Sequence, residues 1–191
     1  MAAPLLSKDV VLDRIFSVFR TYGYEGATLA RISQSTGLGR ASLYHYFPGG
    51  KDEMAREVLT GARGWIGANI VATLDGNGSV AARLKAMTAA LRTGYADGEA
   101  SCVINLLGIG EAGDTFAGEL RATLEPWLHA LEKLLREAGV PAARGRRIAV
   151  DALVRIEGAL VIARALRDNA VFVRTLGEVE KVLLEEATAR G

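Results

Sequence analysis

The sequence predicts an all-α protein: an N-terminal three-helix helix-turn-helix unit followed by a larger helical domain. Three observations carry this prediction. Apolar residues, half of the 191 positions, recur at spacings of three and four rather than two. Prolines stand only at positions 4, 48, 126 and 141, so the chain contains few obligatory breaks. Ser, Thr and Gly occupy the places where such helices would start and stop.

The first helix is expected from Ser7, an N-cap with Asp9 in the first turn, with Val11, Ile15, Phe19 and Tyr22 on one stripe and Gly23 at its end. A second helix opens at Thr28 and stops near Thr36-Gly37. Gly37 suits a left-handed turn and Leu38 can plug the space behind it. Arg40 through Phe47 then resumes a helical pattern, which makes a helix-turn-helix. Pro48-Gly49-Gly50 breaks the chain, and the domain boundary is placed there, between residues 1–50 and 51–191. A long helix from Lys51 to Leu74 follows, with Met54, Val58, Ala62, Trp65 and Ile66 on its inner side. Asp75-Gly76-Asn77-Gly78 is a turn, and Ser79 caps a helix running to Tyr95. Beyond it come a short apolar helix from Val103 to Ile109 and an amphipathic one from Thr115 to Ala138 with a kink at Pro126. A long helix from Pro141 to Asp168 and a final one from Ala170 to Ala187 complete the chain.

Composition excludes several classes of function. Lys and Arg number 23 against 22 Asp and Glu, so this is neither an extended basic nucleic-acid coat nor an acidic tail, although a local basic surface can hide in a neutral total. The single cysteine, Cys102, reads as a small buried hydrophobe and cannot form an internal disulfide. Met1-Ala2-Ala3-Pro4-Leu5-Leu6-Ser7-Lys8 lacks the basic flank and apolar run of an export signal, and charges interrupt every apolar stretch before it could span a bilayer. A cytoplasmic protein with no membrane association is the expectation. With His45 and His129 alone and one cysteine, no metal cluster is expected; Glu125 and His129 form an isolated pair. There is no glycine-rich phosphate loop and no nucleophile elbow, so no cofactor and no catalytic residue is assigned.

The segment Thr28-Leu29-Ala30-Arg31-Ile32-Ser33-Gln34-Ser35-Thr36-Gly37-Leu38-Gly39-Arg40-Ala41-Ser42-Leu43-Tyr44-His45-Tyr46-Phe47, followed by Lys51-Asp52-Glu53-Met54, resembles the DNA-binding signature of the TetR family of transcriptional regulators. With the approach Gly23-Tyr24-Glu25-Gly26-Ala27-Thr28 the resemblance takes in about the first sixty residues. The Pro48-Gly49-Gly50 insert is reminiscent of the branch controlling drug-efflux genes. Gly39 stands where a capping Ser or Thr is common, and Ala41 where glycine often permits close approach to DNA. The resemblance implies a DNA-binding domain in residues 1–50, a ligand-binding and dimerisation domain in 51–191, and a repressor released from its operator by a small, largely apolar effector.

Side-chain chemistry supports a double-stranded DNA partner independently. Arg40 can make a bidentate contact with guanine O6 and N7, and Ser42 can reach base or backbone. Tyr44, His45 and Lys51 suit phosphates, and Thr28 can aim a helix N-terminus at another. Ile32, Leu43, Tyr46 and Phe47 read as core. Tyr44 is open to a second reading, a core-packed ring with only its hydroxyl exposed.

A lone helix-turn-helix makes few contacts, so a homodimer reading two half-sites is expected. Ile148, Ala152, Leu153, Ile156, Ala159, Leu160 and Ala163, with Leu176, Val179, Val182 and Leu183, offer faces for a four-helix interface or for packing within one subunit. Trp65, Met87, Leu91, Tyr95, Phe116, Trp127 and Leu131 are the bulky groups available to enclose a ligand. Asn105 and Glu157 stand in apolar stretches and can bond a ligand or a neighbouring helix. The rival reading is a helical protein-interaction module without specific DNA binding.

Overall fold

A computed structural model describes residues 6–189, and among them there are helices and connecting turns but no strand. Residues 1–5, which carry Pro4 and most of the N-terminal stretch discussed above, lie outside the described residues. The chain forms two compact units, residues 1–62 with 103–120, and residues 63–102 with 121–191.

In the first unit, Ser7 caps α1 (Lys8–Gly26), its hydroxyl accepting from the Val10 amide at 3.4 Å. Gly23, at φ 67°, breaks the helical path three residues before the end of α1, a conformation that favours glycine. Val11, Ile15 and Phe19 are fully buried, but Tyr22 is 49% exposed. The period keeps position 22 on the stripe, but it stands at the break before Gly23, and its ring lies 4.3 Å from the Arg31 guanidinium. α2 (Leu29–Thr36) and α3 (Arg40–Tyr46) make the helix-turn-helix. The first part of α4 (Gly50–Ile66) completes the unit, with Met54, Ala55, Val58 and Leu59 buried.

Two further helices, α7 (Val103–Leu107) and α8 (Glu111–Thr115), belong to this same unit. The compact unit therefore extends past position 50 and recruits a segment from far down the chain. Cutting at 50 would strip four buried side chains of α4 from the core they fill.

In the second unit, α4 continues through a π-helical turn (Gly67–Val71) into α5 (Ala72–Leu74). The wider turn frees a carbonyl, and the Asn69 amide donates to the Trp65 carbonyl at 2.9 Å. Ser79 caps α6 (Val80–Gly94), accepting from the Ala82 amide at 3.2 Å. Most of α9 (Ala117–Glu137), together with α10 (Ala142–Leu166) and α11 (Ala170–Thr188), supplies the rest. α9 runs as one helix through Pro126.

Among the residues offered for a dimer face, Ile148, Ala152, Ile156, Ala159, Ala163, Leu176, Val179 and Leu183 are at most 9% exposed within the single chain, and Val182 is 36% exposed. Their surface is largely covered within the subunit, and Ile148, Ala152, Val179 and Leu183 also line an open groove. α10 is apolar on two sides, and its open stripe carries Val154 (65% exposed), Val161 (54%), Ile162 (49%) and Leu166 (65%) instead. Beside it, a groove of about 350 Å³ between α10 and α11 has an apolar floor including Ile148 and Leu183 and a rim with Arg147, Asp151 and Arg155.

Candidate nucleic-acid interface

The α2–α3 turn is fixed from the inside. Gly37 adopts φ 72°, and its amide donates to the Ser33 carbonyl at 2.9 Å. Buried Thr36 donates to the Ile32 carbonyl at 2.7 Å and accepts from the Leu38 amide at 3.3 Å. The Ser33 hydroxyl donates to the Leu38 carbonyl at 2.6 Å. Arg14 of α1 donates to the Thr36 carbonyl at 2.9 Å, tying the turn to the first helix. These bonds make the angle between the two helices a built feature.

Leu43 and Phe47 are buried to within 1% of completeness and anchor α3. Arg40, Ala41, Ser42, Tyr44 and His45 are exposed on the same short helix. The Tyr44 ring is 44% exposed, which decides against the core-packed alternative. Tyr46 is half-buried, and its hydroxyl donates to the Leu6 carbonyl at 2.6 Å. Gly39 occupies the N-cap of α3 without a side-chain cap, so the amides that start this helix have no side-chain acceptor from that position. Thr28 caps α2, its hydroxyl accepting from the Arg31 amide at 3.3 Å. Lys51 differs from the other residues singled out: its ammonium donates to the Tyr24 carbonyl at 3.1 Å and sits 3.9 Å from the centre of the Tyr24 ring.

Tyr24 had attracted no role in the sequence, yet it collects contacts. Its hydroxyl donates to Asp52 Oδ1, and burial first, then the hydrogen bond and charge of Asp52, push the phenol well above its ordinary pKa. Its ring stacks on Phe19 at 6.1 Å and meets Phe116 edge-on at 5.2 Å. No sequence spacing signals a pairing across 28 residues, so only the fold could reveal it.

The residues considered for a ligand are divided between the two compact units. Asn105, half-buried, and Phe116 belong to the first unit; Trp65, Met87, Leu91, Tyr95, Trp127 and Glu157 belong to the second. In the second unit, Tyr95 meets Trp65 at 6.1 Å and Phe172 at 6.0 Å, both edge-on, and its hydroxyl approaches the buried Cys102 sulfur at 3.4 Å. Trp127 is fully buried, and its indole nitrogen has no hydrogen-bond partner among the described residues. Among the described residues, no group of three or more His, Cys, Asp and Glu side chains could hold a metal ion, and no helix is long and apolar enough to cross a membrane.

Residues 11–58 match the family model for bacterial regulatory proteins of the tetR family, and residues 79–177 match the C-terminal domain of LmrA/YxaF-like transcriptional regulators. The HTH-type transcriptional regulator LmrA of Bacillus subtilis is 23% identical over 174 residues, which cover 85% of this chain and 89% of that protein. The crystal structure of a TetR transcriptional regulator from Legionella pneumophila superposes with a TM-score of 0.80 at 17% identity, covering 95% of this chain and 99% of that one. A cysteine mutant of the TetR family regulator CifR, complexed with 26 bp double-strand operator DNA, superposes with a TM-score of 0.76 at 22% identity, covering 96% and 98%. The second family match alone spans half of the chain, and the protein belongs to the TetR family of bacterial transcriptional regulators, with a C-terminal domain of the LmrA/YxaF-like type.

Proposed function

We propose that the protein is a cytoplasmic, non-catalytic repressor that grips operator DNA as a homodimer through α3 and lets go when a small, largely apolar molecule binds its second unit. The observation that carries the reading is the exposure pattern of α3: Leu43 is buried at 1% exposure, while Arg40 and Ser42 stand exposed at the start of the helix. A helix of that length fits a major groove with its first residues toward base edges. Arg40 reads a guanine and Ser42 a base or phosphate, with Thr28, Tyr44 and His45 on the backbone. Lys51 reaches a phosphate with the hydrogens it does not give to the Tyr24 carbonyl.

Dimerisation is assigned to the open stripe of α10, where four large aliphatic side chains stand about half or more exposed. Release is assigned to a change in the spacing of the two recognition helices, carried by α4, which passes from one unit into the other. A ligand achieves this by binding better to the wrong spacing. The aromatic cluster around Tyr95 and the buried Trp127, with Glu157 nearby in sequence to the α10 stripe, are the groups offered to it.

Fluorescence anisotropy tests the reading, using duplex DNA from upstream of the protein's own gene and a scrambled duplex over a salt series. Preference for the native duplex by about a thousandfold, falling steeply with salt, is expected. Arg40→Ala should lose sequence preference while staying folded. Unchanged DNA affinity in that variant would leave a protein-binding role for the helix-turn-helix.

A further inference from the structure

Phe116 lies more than sixty residues beyond the helix-turn-helix, yet in the same compact unit, and it is fully buried there. Its ring meets Tyr24 edge-on at 5.2 Å, and the Arg56 guanidinium of α4 lies 5.2 Å from the same ring. Arg56 is also paired with Glu119 at 2.7 Å. Gly23, next to Tyr24, is so close to this segment that a Cβ there would sit 3.7 Å from the Leu106 carbonyl oxygen. Tyr24 then passes the contact on. Its hydroxyl holds Asp52, and its carbonyl and ring hold the Lys51 ammonium. Lys51 and Asp52 are in the first turn of α4. Gly50, just ahead of them, faces the Tyr44 ring of α3, where a Cβ would come within 3.5 Å of Cε1.

We propose that Tyr24 and Phe116 are positioning residues for DNA recognition: the segment Val103–Leu120 clamps the first turn of α4 through Tyr24, and so sets the orientation of α3. The proposal rests on the DNA-binding reading of α3. Neither residue touches DNA in this arrangement. Both act through the three-residue link between α3 and α4 and through Tyr44. The contacts that run from Tyr24 to α4 lie outside the deepest core, since Asp52 is exposed and Tyr24 and Lys51 are half-buried. Loosening them therefore frees α4 without removing Ile15, Phe19, Leu43 or Met54 from the interior. The clamp has a consequence for control. The segment continues directly into the second unit at both ends, at Cys102 and within α9 at Arg121. α4 is thus one of three covalent routes by which a change in the second unit reaches the helix-turn-helix.

The test uses the full chain and a duplex that the wild-type protein selects from a random-sequence library. Tyr24→Phe removes the hydroxyl and keeps the ring, Phe116→Leu removes the edge contact, and Glu119→Gln breaks the surface ion pair if Phe116→Leu fails to fold. Each should weaken binding by about three- to tenfold. The salt dependence should keep its slope, because no phosphate contact is removed. Tyr24→Phe combined with Phe116→Leu should lose less than the product of the two single losses, as expected for one chain of contacts. Without DNA, amide exchange in residues 47–53 should quicken in all of them. Affinities within twofold of wild type, or a changed slope, or unaltered exchange at residues 47–53 would each overturn the proposal. If the wild-type protein selects no sequence, the DNA-binding reading fails on its own account. The exchange experiment then decides the clamp separately: unaltered exchange removes it, and faster exchange retains it.

Discussion

Replacing Gly37 isolates the conformational demand of the helix-turn-helix corner. The residue sits at φ 72° and ψ 11°, in the left-handed region, and a Cβ built there meets nothing within 4 Å. Gly37→Ala is therefore a backbone penalty with no steric part. An L-residue in this region costs about 1–2 kcal/mol, and alanine regains about 0.5–1 kcal/mol because glycine loses more chain freedom on folding. The expected net loss is about 1 kcal/mol. Asn should lose less, since its short amide tolerates this region, and Val should lose more because it is β-branched. Urea denaturation followed by circular dichroism, with amide exchange across residues 28–47, measures the loss and localises it to the first unit. Ala, Asn and Val variants of equal stability would mean that the corner is not held left-handed in solution. A loss above about 3 kcal/mol for Ala would mean that the space outside Gly37 is occupied, because the backbone alone cannot supply that much.

Other substitutions probe the remaining joints. Gly94→Ala places a Cβ 2.3 Å from Trp65 Cζ2, so the overlap should cost about 1–3 kcal/mol despite the better helix former; an unshifted tryptophan emission together with an unchanged melting temperature would count against it. Thr28→Ala removes the cap on the Arg31 amide at 3.3 Å and should cost about 1 kcal/mol, with Thr28→Ser restoring most of it in the same denaturation assay. Val161→Arg, at a position 54% exposed, should leave the helical circular dichroism intact while sedimentation velocity shows a monomer; a persistent dimer would move the interface elsewhere. Glu119 is held below its ordinary pKa of 4.5, first by a backbone hydrogen bond and then by Arg56. Its contribution is complete above the ordinary value and disappears as pH falls through the lower folded-state value. Arg56→Gln should flatten part of the acid dependence of the first unit below pH 4.5, and superimposable acid titrations of the two proteins would exclude the ion pair as its source.

What could be read from the sequence was local. Ser7, Thr28 and Ser79 are caps because the hydroxyl and the amide it accepts from are three residues apart, and Gly37 is a turn because its backbone angle is its own property. Ser42 and His45 fall outside because Leu43 falls inside, a 3.6-residue argument that needs no neighbours, whereas Arg40 shares the side of Leu43 and is exposed as the first residue of the helix. α8 escaped notice: Glu111–Thr115 is one polar turn beginning after a glycine, with Ala112 alone buried. Two faces of α10 look alike in the sequence. Ala152, Ile156 and Ala163 on one side and Val154, Val161 and Ile162 on the other are both credible apolar stripes. Which one turns inward is settled by α11 and not by α10 itself.

The same distinction separates a bend in the chain from the limit of a compact unit. A glycine-proline break marks where the chain bends, and Pro48-Gly49-Gly50 does bend it, but a unit ends where burial ends. Met54, Ala55, Val58 and Leu59 belong with the residues before the bend. Phe116 reaches the same unit from the other direction, through a tyrosine whose hydroxyl and carbonyl hold the first turn of α4. For a helix-turn-helix protein this matters more than the number of helices. Arg40 reads a base edge only if α3 enters the groove at a fixed tilt, and a short helix held by two buried side chains has little resistance to tilting on its own. The resistance has to come from the ends of the link that follows it. At the α4 end of that link Tyr24 holds Lys51 and Asp52, so under the proposed reading base recognition at Arg40 depends on side chains that no motif search would assign to it.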